Sequence, residues 1–157
     1  MTYRMATLED IDLLVAMRLR FLEMDRKENR NVDAYNTIRD NCYTYFRKAL
    51  ADNTCDAVLA ETVGECVGTG ILFYYDSVPS AFNVTGKNAY ITGMYVEPDY
   101  RGRGIGTAIL NKVVETALKK EYKVIMLNAS DMGKPMYEKM GFTKSVNGMI
   151  LDRRTGK

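Results

Sequence analysis

Three glycines and two arginines stand within six residues, from Arg101 to Gly106, directly before a long amphipathic segment. Glycine weakens a helix interior, so its repetition where a helix begins needs a physical reason. A helix N-terminus presents free backbone N–H groups and the positive end of the helix dipole. Gly102, Gly104 and Gly106 allow close approach to those amides, and Arg101 and Arg103 add positive charge. The pattern is typical of a pyrophosphate site, although an ordinary glycine-rich turn has the same composition.

Two other phosphate-binding motifs do not fit this chain. The ATP-type P-loop requires a glycine where Ala81 stands before Gly86-Lys87, and Asn88 follows in place of serine or threonine. The dinucleotide fingerprint requires a third glycine where this chain has Thr107, and no acidic residue ends the apolar run 124–127. We therefore expect neither ATP nor NAD as the ligand.

The chain contains no histidine, which excludes Ser–His and Cys–His nucleophilic pairs, histidine bases and the usual zinc sites. Its three cysteines, Cys42, Cys55 and Cys66, are odd in number and far apart, so they predict reduced thiols and no disulfide framework. We expect no metal site. The chemistry must use carboxylates, tyrosines, backbone groups or water.

Length and composition indicate one soluble domain over residues 1–157. The apolar fraction is 46% and the charged fraction is 27%, as in globular proteins. No signal peptide or membrane-spanning run is visible, so the cytoplasm is the expected compartment. The net charge is only +2 and the basic residues are scattered, which predicts no nucleic-acid or membrane partner. We expect a monomer or a homodimer.

Hydrophobic periodicity predicts the elements that must position the glycine-rich turn, in the order β-α-α-β-β-β-α-β-α-β-β. A first helix is capped by Thr7 and reaches residue 22, and a loop covers residues 76–88. The remaining predicted helices cover residues 34–51, 104–121 and 134–140. The predicted strands cover residues 3–5, 56–61, 67–75, 89–96, 124–127, 142–146 and 149–151, the last two joined by Asn147-Gly148.

Two motifs of this chain resemble the GNAT superfamily of N-acetyltransferases. Arg101-x-x-Gly104-x-Gly106, between a strand ending in Val-x-Pro and a long helix, is similar to the superfamily's acetyl-CoA signature. Residues 127–142, LNASDMGKPMYEKMGF, resemble its later segment, where a short helix carries a tyrosine before Gly-Phe. The resemblance covers nearly the whole chain. It implies a mixed α/β fold with a mostly antiparallel, twisted sheet of six to seven strands, splayed between the fourth and fifth strands and flanked by about four helices.

The resemblance implies acetyl-CoA as the co-substrate. The main chain of residues 94–96 should face the pantetheine arm as an added strand would, and the amides of residues 101–107 should hold the pyrophosphate. The arm should then pass Asn128 and Ser130, although the superfamily often has asparagine at the latter position. The expected cofactor-binding residues are Met94, Tyr95, Val96, Arg101, Gly102, Arg103, Gly104, Ile105, Gly106, Thr107, Asn128, Ser130 and Tyr137.

Tyr137 matches the superfamily's general acid, which protonates the sulfur of coenzyme A while the acetyl group moves to an amine. Taken alone, it is also an ordinary tyrosine packed on a short helix. A backbone N–H near Val96 would stabilise the oxyanion. No general base is identified, because some members carry a glutamate where this chain has Tyr90. Position 92 on the same strand is also not acidic but a threonine. The remaining carboxylates are weak candidates: Asp76, Glu23 and Asp25, and Glu97, which we expect to face solvent.

The expected acceptor is the primary amine of a small molecule or peptide. The two N-terminal helices, the loop 76–88 and the last hairpin should hold it. Six tyrosines supply polar aromatic surface for this purpose: Tyr35, Tyr43, Tyr45, Tyr74, Tyr75 and Tyr90. The fold alone does not name the substrate. Two other functions stay open, a non-catalytic acyl-CoA-binding sensor of the same fold and, less favoured by the small net charge, a nucleic-acid-binding domain.

Overall fold

The computed structural model describes residues 1–25, 32–145 and 151, which form five strands and four α-helices. Two 3-10 turns, Leu8–Asp10 and Pro98–Tyr100, precede the first and third helices. The elements in chain order are β1 (Thr2–Met5), α1 (Ile11–Asp25), α2 (Val32–Ala51), β2 (Cys55–Thr62), β3 (Glu65–Asp76), β4 (Lys87–Val96), α3 (Ile105–Lys119), β5 (Val124–Leu127) and α4 (Lys134–Lys139).

These nine elements lie close to the predicted ranges, but the described residues hold fewer strands than predicted. The described residues contain five strands where six to seven were expected. Residues 142–145, the start of the predicted last hairpin, form no strand. The rest of that hairpin, including Asn147-Gly148, lies outside the described residues apart from residue 151. None of the described helices is both long and apolar enough to cross a bilayer.

The sheet has the order β1-β2-β3-β4-β5, with three antiparallel pairings and a parallel pairing of β4 with β5. The parallel pairing runs from Asn88 opposite Val124 to Ile91 opposite Leu127. Beyond that point β5 ends, and residues 92–96 of β4 have no strand beside them on this edge of the described sheet. The expected splay between the fourth and fifth strands is therefore confirmed.

A β-bulge interrupts β4 just where the pairing with β5 stops. Tyr95 lies opposite Thr69 and Thr92 lies opposite Ile71, so two residues of β4 face the single residue between them on β3. Gly93, in the bulge, has a φ of +57°, which glycine adopts without strain. The extra residue inverts the alternation of side chains along the strand. Ile91 and Met94 consequently pack on the same face of the sheet.

Each face of the sheet carries its own core. The helix α3 covers one face, which we call the α3 face, with Ile109, Leu110 and Val113 fully buried. The helices α1 and α2 cover the other, the α1 face, where Leu14 and Met17 are fully buried. On the α3 face the helix lies directly on glycine backbone, because a Cβ at position 70 of β3 would come within 2.6 Å of the Ile109 side chain.

The start of α1 is fixed by a charged cluster. The Thr7 hydroxyl accepts the Glu9 N–H, and the Asp10 carboxylate accepts the Thr7 N–H at 2.8 Å, which together make a capping box at the predicted N-cap Thr7. Arg4 of β1 also donates to Asp10 at 2.7 Å and to Glu61 of β2 at 2.7 Å. The hydrogen bonds from Arg4 and Thr7 lower the pKa of Asp10 to about 2. This cluster ties α1 to the first two strands.

Candidate active site

A cleft of about 840 Å³ opens where β4 and β5 diverge. Its described walls come from α1, the second half of β4, the glycine-rich turn, the first turn of α3, residues 128–130 and α4. The volume lies in the range of clefts that hold cofactor-sized ligands. The structure brings all but one of the thirteen predicted cofactor-binding residues to this cleft. They are Met94, Tyr95, Val96, Arg101, Gly102, Gly104, Ile105, Gly106, Thr107, Asn128, Ser130 and Tyr137.

The three glycines of the turn have two different reasons to be glycine. Gly102 and Gly104 have φ values of +73° and +77°, and an added Cβ at either position would meet nothing within 4 Å. Glycine is therefore needed at these two positions for the left-handed backbone conformation, and not because a side chain would lack space. Gly106 lies within α3, where an added Cβ would stand 3.4 Å from the Met136 sulfur across the cleft. Gly106 therefore keeps the cleft wall opposite Met136 free of a side chain.

The first turn of α3 directs unpaired amides at the cleft. The first helical hydrogen bond runs from the Ala108 N–H to the Gly104 carbonyl at 3.0 Å. The N–H groups of Ile105, Gly106 and Thr107 precede it and have no acceptor within the helix. These three residues line the cleft at the positive end of a 15-residue helix. The arrangement fits an anionic group such as a pyrophosphate.

The two arginines of the turn have different surroundings. Arg101 donates from Nε to the Val96 carbonyl at 2.9 Å, and its guanidinium lies 5.9 Å from the centre of the Tyr95 ring. It therefore braces the end of β4 while lining the cleft. Arg103 instead donates to the Asp99 carbonyl at 2.8 Å and is not among the described residues of the cleft wall. Its contact with phosphate stays a prediction.

Glu97 does not face solvent as the sequence predicted. Its side chain is only 17% exposed, accepts the Tyr95 hydroxyl at 2.9 Å, and forms a short ion pair with Arg20 of α1. The sequence could not reveal this pair because its members stand 77 residues apart. The contact holds α1 against the end of β4, beside the cleft.

Tyr137 enters the cleft wall from α4 with its ring buried. The side chain is 8% exposed and meets the Phe142 ring edge-on at 6.0 Å between centres. A Cβ at Gly133 would stand 3.0 Å from the Tyr137 ring, so glycine allows this close approach. The described part of the chain supplies no hydrogen-bond partner for the hydroxyl. Burial raises the pKa of Tyr137, so the hydroxyl keeps its proton at neutral pH.

Ser130 has a structural task beside its place in the cleft. Its hydroxyl accepts the Gly133 N–H at 3.2 Å, and its carbonyl accepts the Lys134 N–H at 2.9 Å. These bonds build the turn that leads into α4. The side chain is therefore already engaged, and its predicted contact with the pantetheine arm stays a prediction.

On the α1 face the cleft is lined by residues that the sequence did not single out for cofactor binding. Phe21 and Met24 come from α1, and Tyr90 and Thr92 come from β4 before the bulge. The Thr92 hydroxyl lies 3.5 Å from Nη1 of Arg18, whose guanidinium covers the Phe21 ring at 5.0 Å. Strand alternation could have indicated Tyr90 and Thr92 together, since they share one face of β4.

The described residues of the cleft wall include no carboxylate; their charged members are Arg101 and Lys139. Among the base candidates, Asp76, Glu23 and Glu97 lie outside that wall, and the side chain of Asp25 is not described. The loop between β3 and β4 also contributes no described residue to it. That loop joins the start of β4, whereas the cleft lies beside the second half of the strand, so its contact with the acceptor stays a prediction.

Of the six tyrosines expected near the acceptor, Tyr90 lines the cleft and the other five are absent from its described wall. Tyr74 belongs to the α3 face, where its hydroxyl donates to Asp56 at 2.5 Å and its ring stacks on Tyr122 at 4.3 Å. Asp56 also pairs with Lys120, at the end of α3. Tyr74 therefore anchors the helix, away from the described cleft wall.

Comparisons with known proteins agree with this geometry. A crystal structure of a predicted acetyltransferase with acetyl-CoA from Clostridium acetobutylicum superposes with a TM-score of 0.88, at 36% identity over 97% of this chain and 96% of that one. An uncharacterized N-acetyltransferase of Methanocaldococcus jannaschii is 30% identical over 90% of this chain and 60% of the relative. The thialysine N-epsilon-acetyltransferase of Sus scrofa is 35% identical over 52% of this chain and 47% of the relative.

The chain spans about half of the length of the pig enzyme that it matches. The family model described as the acetyltransferase (GNAT) family matches residues 19–142, which include the diverging strands, the glycine-rich turn and α4. This chain belongs to the acetyltransferase (GNAT) family.

Proposed function

We propose that this protein, acting as one domain over residues 1–157, is an N-acetyltransferase that moves an acetyl group from acetyl-CoA to a primary amine by direct attack. The acceptor is a small molecule or a peptide. One observation carries the proposal: a single cleft is lined by the first turn of α3, by Tyr137 and, on the α1 face, by Tyr90 and Thr92. Both substrates can therefore meet within one continuous space.

The described residues of the cleft fit coenzyme A. The amides of residues 105–107 would hold the pyrophosphate, and the main chain of residues 94–96, unpaired on the β5 side, would hydrogen-bond the amides of the pantetheine arm. Asn128 and Ser130 would flank the arm from the other side. When bound, acetyl-CoA supplies an activated acetyl thioester.

Tyr137 is the side chain that we propose for proton donation to the thioester sulfur. Its hydroxyl keeps its proton because burial raises its pKa above the ordinary tyrosine value. A free thiol has a pKa of about 8.5, so this phenol is the weaker acid and full transfer to the sulfur is uphill. The hydroxyl therefore acts mainly through a hydrogen bond that strengthens as negative charge develops on the sulfur.

Two further roles belong to the backbone and to water. An N–H at the bulge or the end of β4, between Gly93 and Val96, would polarise the acetyl oxygen. Because no carboxylate lines the described wall, the amine enters in its neutral form or loses its proton to water. The rate should then rise with pH toward the pKa of the acceptor amine.

The named activity of the pig relative, acetylation of thialysine, supports an amine acceptor for this chain. Its match covers 52% of this chain, so the acceptor is proposed by class only. We propose the cytoplasm as the compartment of this protein. We also propose that it is a monomer or a homodimer, and sedimentation measures this oligomeric state directly.

The test combines ligand binding with turnover. Acetyl-CoA at about 100 times its dissociation constant should stabilise the fold by about 2.7 kcal/mol, which is measured as a rise in Tm. Thiol release is then followed with a panel of amines and peptides. Stabilisation with acceptor-dependent thiol release supports the enzyme, whereas stabilisation without release on any acceptor indicates the sensor. Absence of any stabilisation by acetyl-CoA would refute the proposal.

A further inference from the structure

Three aromatic side chains form a strip on the α1 face that continues from the cleft. Phe73 stacks on Tyr90 with ring centres 5.2 Å apart, and on its other side meets Tyr75 at 6.2 Å. Phe73 and Tyr75 share a strand face with Ile71, which belongs to the core under α1 and α2. Tyr90 lines the cleft itself, so we call Phe73, Tyr75 and Tyr90 the aromatic strip.

The aromatic strip is accessible to solvent, unlike the aromatic pair on the opposite face of the sheet. Tyr75 is 41% exposed, and Phe73 and Tyr90 are half-buried. The Tyr75 hydroxyl reaches the Met126 sulfur of β5 at 3.9 Å, so the strip spans the sheet from β3 to β5. On the α3 face, by contrast, Tyr74 of the stacked pair with Tyr122 is buried in the core. The aromatic strip thus offers flat apolar area directly beyond the reacting end of the cleft.

The charges of the cleft disfavour an acceptor with several ammonium groups. Each ammonium that leaves water needs a carboxylate or several hydrogen-bond acceptors to offset its lost hydration. The described wall holds no carboxylate, and its charged residues are the cations Arg101 and Lys139. A single amine that reacts in its neutral form avoids this cost, and its carbon body can be bound by rings.

We infer that the acceptor is a primary amine carried on an aromatic or similarly flat apolar body. The body lies on the aromatic strip and the amine points past Tyr90 toward Thr92. This assignment rests on Tyr90, which lines the cleft and also stacks on Phe73. It rests on the proposed function, because it names the acceptor class of the same site.

The test measures binding without turnover. Calorimetric titration in the presence of coenzyme A compares 2-phenylethylamine, n-butylamine and spermidine. A ring stacked in this way should improve binding about tenfold over n-butylamine, and spermidine should bind more weakly than 2-phenylethylamine. The ratio of the two monoamine dissociation constants should fall to about threefold or less in Tyr90→Leu and in Phe73→Leu. The matched control is Tyr122→Leu, which removes a stacked tyrosine from the α3 face and should leave the ratio unchanged.

Phe73 is half-buried and its replacement could disturb the fold, so a melting curve checks that each variant is folded. Tyr75→Leu changes a more exposed residue of the same aromatic strip and serves as a second variant. Equal or tighter binding of n-butylamine or spermidine by the wild type would overturn the inference. So would an unchanged ratio in the folded strip variants. These amine-binding measurements need no acetyl transfer. The proposed function, in contrast, is contradicted if acetyl-CoA does not bind or if no amine causes thiol release. The two failures are therefore distinguishable.

Discussion

The replacement Tyr137→Phe removes one hydroxyl and keeps a ring that is buried in the wall of the cleft. The described residues supply no hydrogen-bond partner for that hydroxyl, and the edge-on contact with Phe142 belongs to the ring. The substitution therefore removes no hydrogen bond to the described residues. The free energy of unfolding should change by less than about 0.5 kcal/mol.

Activity should respond very differently. A positioned general acid contributes about 10²–10⁴-fold, and the raised pKa of Tyr137 favours the lower end, since the phenol is a weaker acid than the thiol that it assists. We expect kcat to fall about 100-fold, which corresponds to about 2.7 kcal/mol of transition-state stabilisation. The KM for acetyl-CoA should hold, because the interaction is made mainly in the transition state.

The assay measures kcat and KM by thiol release, together with chemical unfolding of the same samples. Tyr74→Phe is the matched control, because that hydroxyl donates to the Asp56 carboxylate at 2.5 Å and lies away from the cleft. It should lose about 1.5–3 kcal/mol of stability with kcat unchanged. Wild-type kcat in Tyr137→Phe would refute proton donation. A raised KM for acetyl-CoA with unchanged kcat would instead show that Tyr137 only lines the channel.

Three further substitutions test the surroundings of the cleft. Gly106→Val places a side chain against Met136 and should weaken acetyl-CoA binding at least about tenfold, measured by titration, with little change in the Tm of the free protein. Glu97→Gln breaks the ion pair with α1 and should lower stability by about 1 kcal/mol in urea unfolding, and the loss should shrink at high salt. Asp10→Asn should cost about 1–2 kcal/mol at pH 7. Because the pKa of Asp10 is lowered from 3.8 to about 2, that cost should disappear as the pH falls through this interval, and an unchanged cost at pH 2 would contradict the assignment.

The positions of the helices and strands followed from local pattern, because each element buries one face and its period is visible in the chain. The glycine-rich turn followed from its own residues, and the splay followed from the resemblance of two short motifs. The structural reason for each individual glycine could not be predicted in this way. Gly104 and Gly106 look alike in sequence, yet Gly104 adopts a left-handed φ of +77°, whereas Gly106 faces Met136 from within α3.

Features that join distant segments could not be predicted from local pattern. Glu97 follows a strand and precedes a proline, which indicates an exposed turn, but α1 brings Arg20 against it. The loop after β3 is long enough to suggest a functional role, but the sheet topology places it at the start of β4, and none of its described residues lines the cleft. Both features escape local pattern because a segment's neighbours in space depend on how the other elements pack.

The bulge at Gly93 explains how one strand could contact both substrates of the proposed reaction. Before it, Tyr90 and Thr92 turn toward the α1 face, and after it Met94 packs on the α3 face. In a regular strand the side chains of Tyr90, Thr92 and Met94 would all lie on one face of the sheet. The proposed acceptor surface would then continue into the part of the cleft proposed for acetyl-CoA. The inversion falls within two residues of the point where β5 stops pairing, so the change of face coincides with the opening of the sheet. In the proposed reaction the amine therefore reaches the acetyl group through the gap between β4 and β5, and the glycine in mid-strand is a requirement of that geometry.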